Sequence, residues 1–324
     1  MSQSVQATAV ESLVEAPRAG LLPCAAAIVE TTKPRITRLV TITAAVGFAL
    51  GAIDRRWELG ELLIAGLGVL AGTALSAAGA NSLNQWLERE RDARMPRTAG
   101  RPLPEGRLKP GAVVIAGSLL ALVGVLTLWA ACGPIAALVS LTTILLYLLC
   151  YTPLKPVTPL ATVVGAVPGA LPPVIGWAAA RYTEGPEALL HVGPWALFAI
   201  MFVWQVPHFL AIAWMYKDDY AAGGYRVLPV VDPTGRRTAR SIVAWSLLLV
   251  PATVAPALLM DAAPASLYAL ITLIMGLGFF GLSWRVVRSG RREDARKAFI
   301  ASIIHLPLVL VAVVAFAVIS RVLA

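Results

Sequence analysis

Apolar residues fill the chain in nine long runs, each ended by a short polar segment: Ile36–Ala52, Leu62–Leu83, Ala112–Ala131, Pro134–Tyr151, Thr158–Ala180, Gly193–Met215, Ala239–Met260, Ala265–Val286 and Ala298–Val322. About 20 consecutive apolar residues cross the hydrocarbon core of a bilayer as a helix. The pattern therefore predicts an all-α membrane protein of nine transmembrane helices. The second run is predicted to continue past the membrane surface as a helix until Pro96 stops it, because proline removes a donor and clashes with the preceding turn. Between the third and fourth runs stands little more than Cys132-Gly133-Pro134, which reads as a tight turn. Small residues such as Ala77-Ala78-Gly79-Ala80 let membrane helices approach closely. Pro168, Pro172, Pro173, Pro207, Pro251 and Pro256 fall inside runs, and irregular backbone at membrane depth is tolerated where it is packed in protein or lines a cavity. The expectation is a compact bundle around a central cavity.

Composition adds the class and the orientation. Hydrophobic residues make up 58% of the chain and charged residues 14%, against roughly a quarter charged in soluble domains. That polar surface is too small for a soluble protein, and residues 31–324 read as one polytopic domain. Residues 1–30 hold Glu11, Glu15, Glu30 and Arg18 but no basic start followed by an apolar core, so they read as a flexible cytoplasmic leader. The net charge of +9 raises the question of nucleic acid, and the placement of the bases answers against it. All but Arg55, Arg56, Arg181 and Arg321 of the 27 Lys and Arg fall on one side of the nine runs. That side should be the cytoplasm, which puts the amino terminus inside and predicts a multi-pass protein of the cell inner (cytoplasmic) membrane. The three cysteines, Cys24, Cys132 and Cys150, are too scattered for a zinc or disulfide framework.

Chemistry gathers in the charged segments of that face. Asn84, Glu88 and Asp92 are spaced by four at the end of the second run. On a helix each such step advances about 6 Å and lags about 40°, so the three form one slanting row. Oxygen ligands of this kind suit hard cations such as Mg²⁺. Arg89, Arg91, Arg94, Arg97 and Arg101 surround the row, and Arg grips phosphate oxygens in pairs. Asp218 and Asp219 leave the sixth run at a helix end, where the dipole disfavours carboxylates and a bound cation would explain them. Lys155 follows the fourth run and either reaches lipid headgroups or points at an anion. Acids that hold a metal beside bases that hold an anion suggest a metal–diphosphate site below an apolar chamber, with the active site toward the cytoplasmic face. Of the three histidines, His191 reads as solvated and His305 as a packing residue. His208, with Trp204 and Gln205, precedes the Asp pair on the same run and reads equally as a helix-to-helix hydrogen bond or a contact to a substrate such as a porphyrin iron.

Lys33-Pro34-Arg35, the N-x-x-x-E-x-x-x-D-x-x-M-x-R-T-x-x-R-P-L-P run from Asn84, Tyr151-Thr152-Pro153-Leu154-Lys155, Gly169 through Trp177, and Trp204-Gln205-x-Pro-His208-Phe209 through Asp219-Tyr220 to Leu228-Pro229 resemble the heme-modifying branch of the intramembrane aromatic prenyltransferases. The resemblance covers about residues 30 to 320. It implies nine helices around a cavity open to lipid and Mg²⁺-dependent binding of farnesyl diphosphate. It further implies transfer of the farnesyl group to a vinyl of heme b, giving heme O for terminal oxidase assembly, with heme A synthase as a further partner. Asn84, Glu88, Asp92 and Asp219 would hold the metal–diphosphate, and Arg97, Arg101, Lys155 and Arg226 would contact the diphosphate. Trp204, Gln205 and His208 would face the heme. Glu88 stands where the wider superfamily usually has Asp, and Met215 stands four before Asp219, so Asp218 substitutes for a lost acid. Rival readings are a prenyltransferase with a quinone-precursor acceptor and a transporter; the acids of a transporter should lie near mid-membrane.

Overall fold

The computed structural model describes residues 21–323, and it is helical without strands among them. The helices are α1 (Leu21–Thr31), α2 (Pro34–Ala52), α3 (Leu59–Asp92), α4 (Pro110–Leu145), α5 (Thr152–Leu154), α6 (Ala161–Ala170), α7 (Pro172–Ala180), α8 (Val192–Met215), α9 (Lys217–Ala222), α10 (Leu228–Val231), α11 (Arg236–Val254), α12 (Ala262–Ser289) and α13 (Arg292–Leu323). A π-helical turn, Leu146–Tyr151, joins α4 to α5. Pro172 sits at the first position of α7, where its missing N–H costs nothing, and separates α7 from α6 at Leu171.

Eight helical stretches among the described residues are long and apolar enough to cross a membrane, where nine runs were expected. The difference lies in Pro110–Leu154, a single stretch of 45 residues. At 1.5 Å per residue that is roughly 68 Å, more than twice a hydrocarbon core of about 30 Å. It is not straight. Gly133 leaves the helical region at φ 79°, ψ 173°, immediately before Pro134, at the place where the sequence predicts a turn. Only glycine takes that conformation at no steric cost.

Polar contacts sort the helix ends into two groups. At one end Arg55 and Tyr182 both reach Glu61, Arg321 lies 3.6 Å from Asp54, and Gly133 faces Tyr182. At the other, Lys33 meets Asn84, Lys155 meets Glu88, Arg91 donates to the Gly223 and Gly224 carbonyls, and Arg292 pairs with Asp218. Neighbouring helices close a ring: α2 on α3, α3 on α4, α4 on α7, α6 and α7 on α8, α8 on α11 and α13, α11 on α12, α12 on α13, and α13 back on α2. Small residues make the tightest seams. A Cβ at Gly79 would collide with the Ala121 amide and the Gly117 carbonyl, so α3 and α4 touch backbone to backbone there. Large aliphatic side chains such as Ile64, Leu67, Leu119, Leu126, Ile274 and Val311 point outward and are exposed, as expected of a surface solvated by lipid.

The last part of the leader expected over residues 1–30 falls in α1. Residues 1–20 lie outside the described residues, but α1 docks on the α3–α4 segment: Ala27 packs among Leu103, Leu108 and Val113, Thr31 Oγ1 meets Ser82 Oγ at 2.8 Å, and Glu30 pairs with Arg107. Ala27, with Cys24 and Ile28 partly buried beside it, supplies the buried face, in an apolar stretch too short to register against the membrane-length runs.

Candidate active site

Inside the ring lies a cavity of about 490 Å³ walled by α2, α3, α4, α6, α7 and α8. One end is charged and aromatic, with Lys33, Glu88, Asp92, Arg97, Arg101 and Lys155 among Tyr151, Tyr220 and Tyr225. The interior is largely aliphatic, including Ile36, Leu39, Val40, Ile144 and Ile175.

The row on α3 forms as its spacing requires, because the helix runs unbroken to Asp92. All three members are buried, Asn84 at 0%, Glu88 at 5% and Asp92 at 1% exposure. Buried carboxylates need compensation, and each comes from a different segment. Lys155 Nζ donates to Glu88 Oε1 at 2.7 Å, and Arg101 donates to Asp92 Oδ2 at 2.6 Å. Asn84 is held at both ends: Oδ1 accepts from Lys33 Nζ at 2.7 Å and Nδ2 donates to Thr152 Oγ1 at 3.0 Å. Burial, reinforced by Arg101, lowers the Lys33 ammonium to about 7. Burial works the same way on Lys155, but Glu88 together with Tyr151, Tyr147 and Tyr225 outweighs it and holds Lys155 well above the usual lysine range. Burial and Glu88 together raise the Tyr225 phenol, which stays protonated.

The second acidic segment converges on the first. Arg97 lies over the rings of Tyr216 and Tyr220, 5.1 and 5.6 Å from their centroids, which stand on either side of Asp219 in the chain. Arg91 bonds the Gly223 and Gly224 carbonyls at 3.2 Å, and the Arg226 amide donates to the Lys155 carbonyl at 2.9 Å. Asp219 itself is half-buried and outside the cavity lining, next in the chain to Tyr220, which is part of it. Asp218 turns outward: its side chain is 83% exposed and accepts from Arg292 at 2.8 Å. The Arg226 side chain is exposed and lies outside the lining as well. Among the described residues no three of His, Cys, Asp and Glu stand close enough to cage a metal. That donor set still fits Mg²⁺, which binds through one or two carboxylates, waters and substrate phosphates rather than an all-protein cage.

The third constellation sits on α8, with Trp204, Gln205 and His208 all in the cavity lining. The His208 ring stacks on Trp204 at 4.6 Å, and its Nδ1 lies 2.7 Å from Ser302 Oγ on α13. Trp204 Nε1 donates to the Ser302 carbonyl at 2.8 Å, and Gln205 Nε2 donates to the Met201 carbonyl at 2.9 Å. Gln205 lies so close to Gly169 that any side chain there would displace it.

Sequence reasoning missed several members of this site. In sequence Lys33 reads only as one of the bases that set orientation, yet it is half-buried and donates to Asn84. The signal was its place directly before Pro34, at the first turn of a span. Tyr151, Tyr220, Tyr225, Thr152 and Ser302 gave no periodic signal.

The sequence model of the UbiA prenyltransferase family matches residues 38–318. The chain belongs to the UbiA prenyltransferase family. Curated relatives of this prenyltransferase include the protoheme IX farnesyltransferase of Solibacter usitatus, 44% identical over 87% of this chain and 95% of that one. That of Koribacter versatilis is 39% identical over 90% of this chain and 93% of its own. Solved structures agree on the fold. A digeranylgeranylglyceryl phosphate synthase superposes with a TM-score of 0.72 at 16% identity, covering 91% of this prenyltransferase and 99% of that chain. A UbiA homologue from Archaeoglobus fulgidus bound to GPP and Mg²⁺ superposes with a TM-score of 0.60 at 16% identity, covering 89% and 99%.

Proposed function

We propose that this prenyltransferase moves the farnesyl group of farnesyl diphosphate onto a vinyl group of heme b, giving heme O. The observation that carries the reading is one cavity with an acid–base end on α3, Lys155 and Arg101 and a His208–Trp204 wall on α8. The likeness to relatives named protoheme IX farnesyltransferase supports heme as the acceptor.

Arg97, Arg101 and Lys155 bind the diphosphate oxygens, with Arg226 at the rim. Glu88, Asp92 and Asp219 would hold Mg²⁺, and Asn84 would join them when Lys33 exchanges its carboxamide for a diphosphate oxygen. When bound, the ion acts as a Lewis acid for the charge that develops on the leaving diphosphate. The allylic carbon–oxygen bond breaks and its electron pair leaves with the diphosphate, where the fixed guanidinium and ammonium groups stabilise it. The aliphatic lining keeps water from the allylic cation. The terminal vinyl carbon of heme forms the new carbon–carbon bond, and water adds to the carbon beside the ring and loses a proton. Asp218, exposed and paired with Arg292, takes no part in this scheme.

The same reading gives the chain nine crossings, with Pro110–Leu154 turning back at Gly133, the amino terminus in the cytoplasm and the charged end at the cytoplasmic face. Gly133 against Tyr182 supports it, since both then lie on the far side. Incubating membranes that carry the chain with heme b, farnesyl diphosphate and Mg²⁺ should yield a heavier, more strongly retained heme, lost on chelation. Prenylation of an added phenolic quinone precursor with heme b untouched would overturn the acceptor.

A further inference from the structure

The heme-acceptor reading leaves open which nitrogen of His208 faces the cavity, and its neighbour on α13 decides this. Ser302 is fully buried. Its hydroxyl lies 2.6 Å from the Phe299 carbonyl and 2.7 Å from His208 Nδ1. A hydroxyl carries one proton, and a carbonyl oxygen can only accept. If Ser302 gave its proton to Nδ1, two oxygens would face each other at 2.6 Å with no hydrogen between them. The proton therefore belongs on the Phe299 side, and Ser302 Oγ accepts from Nδ1–H. In the neutral imidazole the second nitrogen, Nε2, then keeps its lone pair.

The ring cannot easily turn to exchange the two nitrogens. It is stacked on Trp204, with interplanar angle 22°, and Phe299 covers it at 5.1 Å. Trp204 is pinned in turn by its own bond to the Ser302 backbone carbonyl. One residue of α13 thus fixes both aromatic rings of α8, one through its main chain and one through its side chain. The half-buried imidazole lines the cavity.

We propose that Ser302 is a positioning residue for the acceptor: it holds His208 as the Nδ1–H tautomer and presents the Nε2 lone pair to the iron of heme b. The inference rests on heme being the acceptor. Outer hydrogen bonds of this kind set the tautomer and orientation of metal-binding histidines in general.

Nitrogen NMR of the purified full chain, with His208 assigned by comparison with His208→Gln, should show a protonated Nδ1 and an unprotonated Nε2. Titration with heme b should give the absorbance spectrum of a histidine-ligated heme. Ser302→Ala keeps the backbone carbonyl that anchors Trp204 and removes the Nδ1 acceptor together with the hydroxyl's own bond to the Phe299 carbonyl. It should weaken heme b binding about tenfold, the equivalent of one hydrogen bond, and alter the spectrum while farnesyl diphosphate binding stays unchanged. A wild-type ring protonated at Nε2, or at both nitrogens at neutral pH, overturns the proposal. So does a Ser302→Ala protein with the wild-type spectrum and heme affinity. A wild-type chain that binds farnesyl diphosphate but no heme b overturns the acceptor reading beneath it, a separate result.

Discussion

Replacing Lys155 by Met should unbalance the charged end of the cavity. Glu88 is 5% exposed, and Lys155 Nζ stands 2.7 Å from its Oε1. At an effective dielectric constant of about 20, two unit charges at that distance attract by about 6 kcal/mol. Part of that loss is recovered in the variant, because Lys33 is near enough to share the charge of Glu88. Removal of one partner from a buried pair costs about 3–5 kcal/mol in practice, while removal of both is close to neutral. Lys155→Met should therefore lose about 3–5 kcal/mol, and Lys155→Met with Glu88→Gln should return to within about 1 kcal/mol of the parent. Chemical unfolding in mixed micelles, followed by tryptophan fluorescence, measures both. Activity should separate from stability: the double variant folds but loses diphosphate stabilisation, a drop on the order of 100-fold or more in turnover. A single variant within about 1 kcal/mol of the parent would refute the reasoning, as would a double variant no more stable than the single one.

Other perturbations read other parts of the site. Asp92→Asn should abolish turnover while leaving the protein folded, checked by product formation beside circular dichroism. His208→Ala should weaken heme b binding more than farnesyl diphosphate binding, compared by titration of the same preparation. Asp232 caps α11, accepting from the Thr238 amide at 2.9 Å and its hydroxyl at 3.0 Å, so Asp232→Ala should cost about 1–2 kcal/mol in unfolding. Burial would raise the Asp232 carboxyl, but the Thr238 and Thr234 bonds outweigh it and hold it below the usual range. A depressed carboxyl stabilises the fold above its unfolded value near 4 and loses that contribution as pH falls through the folded value. The penalty of Asp232→Ala should accordingly shrink in acid. Gly79→Ala should destabilise by about 1–3 kcal/mol, because its Cβ has no room against α4.

Much of this site is legible in one dimension because its signals are periodic or compositional. Asn84, Glu88 and Asp92 repeat every four residues on an unbroken helix, so their shared face follows from helix geometry alone. The break in helical backbone at Gly133-Pro134 is legible from local backbone chemistry. Partners of the row are not, because Lys33, Lys155 and Arg101 reach it from three separate segments and only tertiary packing makes them meet. Asn84 reads as a metal ligand in sequence, and its clasp between Lys33 and Thr152 is not legible there, since spacing gives the face of a helix but not what covers it. Asp218 and Asp219 are adjacent in the chain, yet a short helical turn leaves one exposed against Arg292 and the other half-buried. Ser302 carries no sequence signal at all; its role exists only because α13 lies against α8.

The most direct test is a crystal of the chain with a non-hydrolysable farnesyl diphosphate analogue and Mn²⁺, located by anomalous scattering. The expected peak lies between the diphosphate and the Glu88 and Asp92 carboxylates, with Arg101 and Lys155 turned onto phosphate oxygens and the hydrocarbon tail in the aliphatic chamber. A peak at the Glu61 end, or a diphosphate bound away from α3, would contradict it.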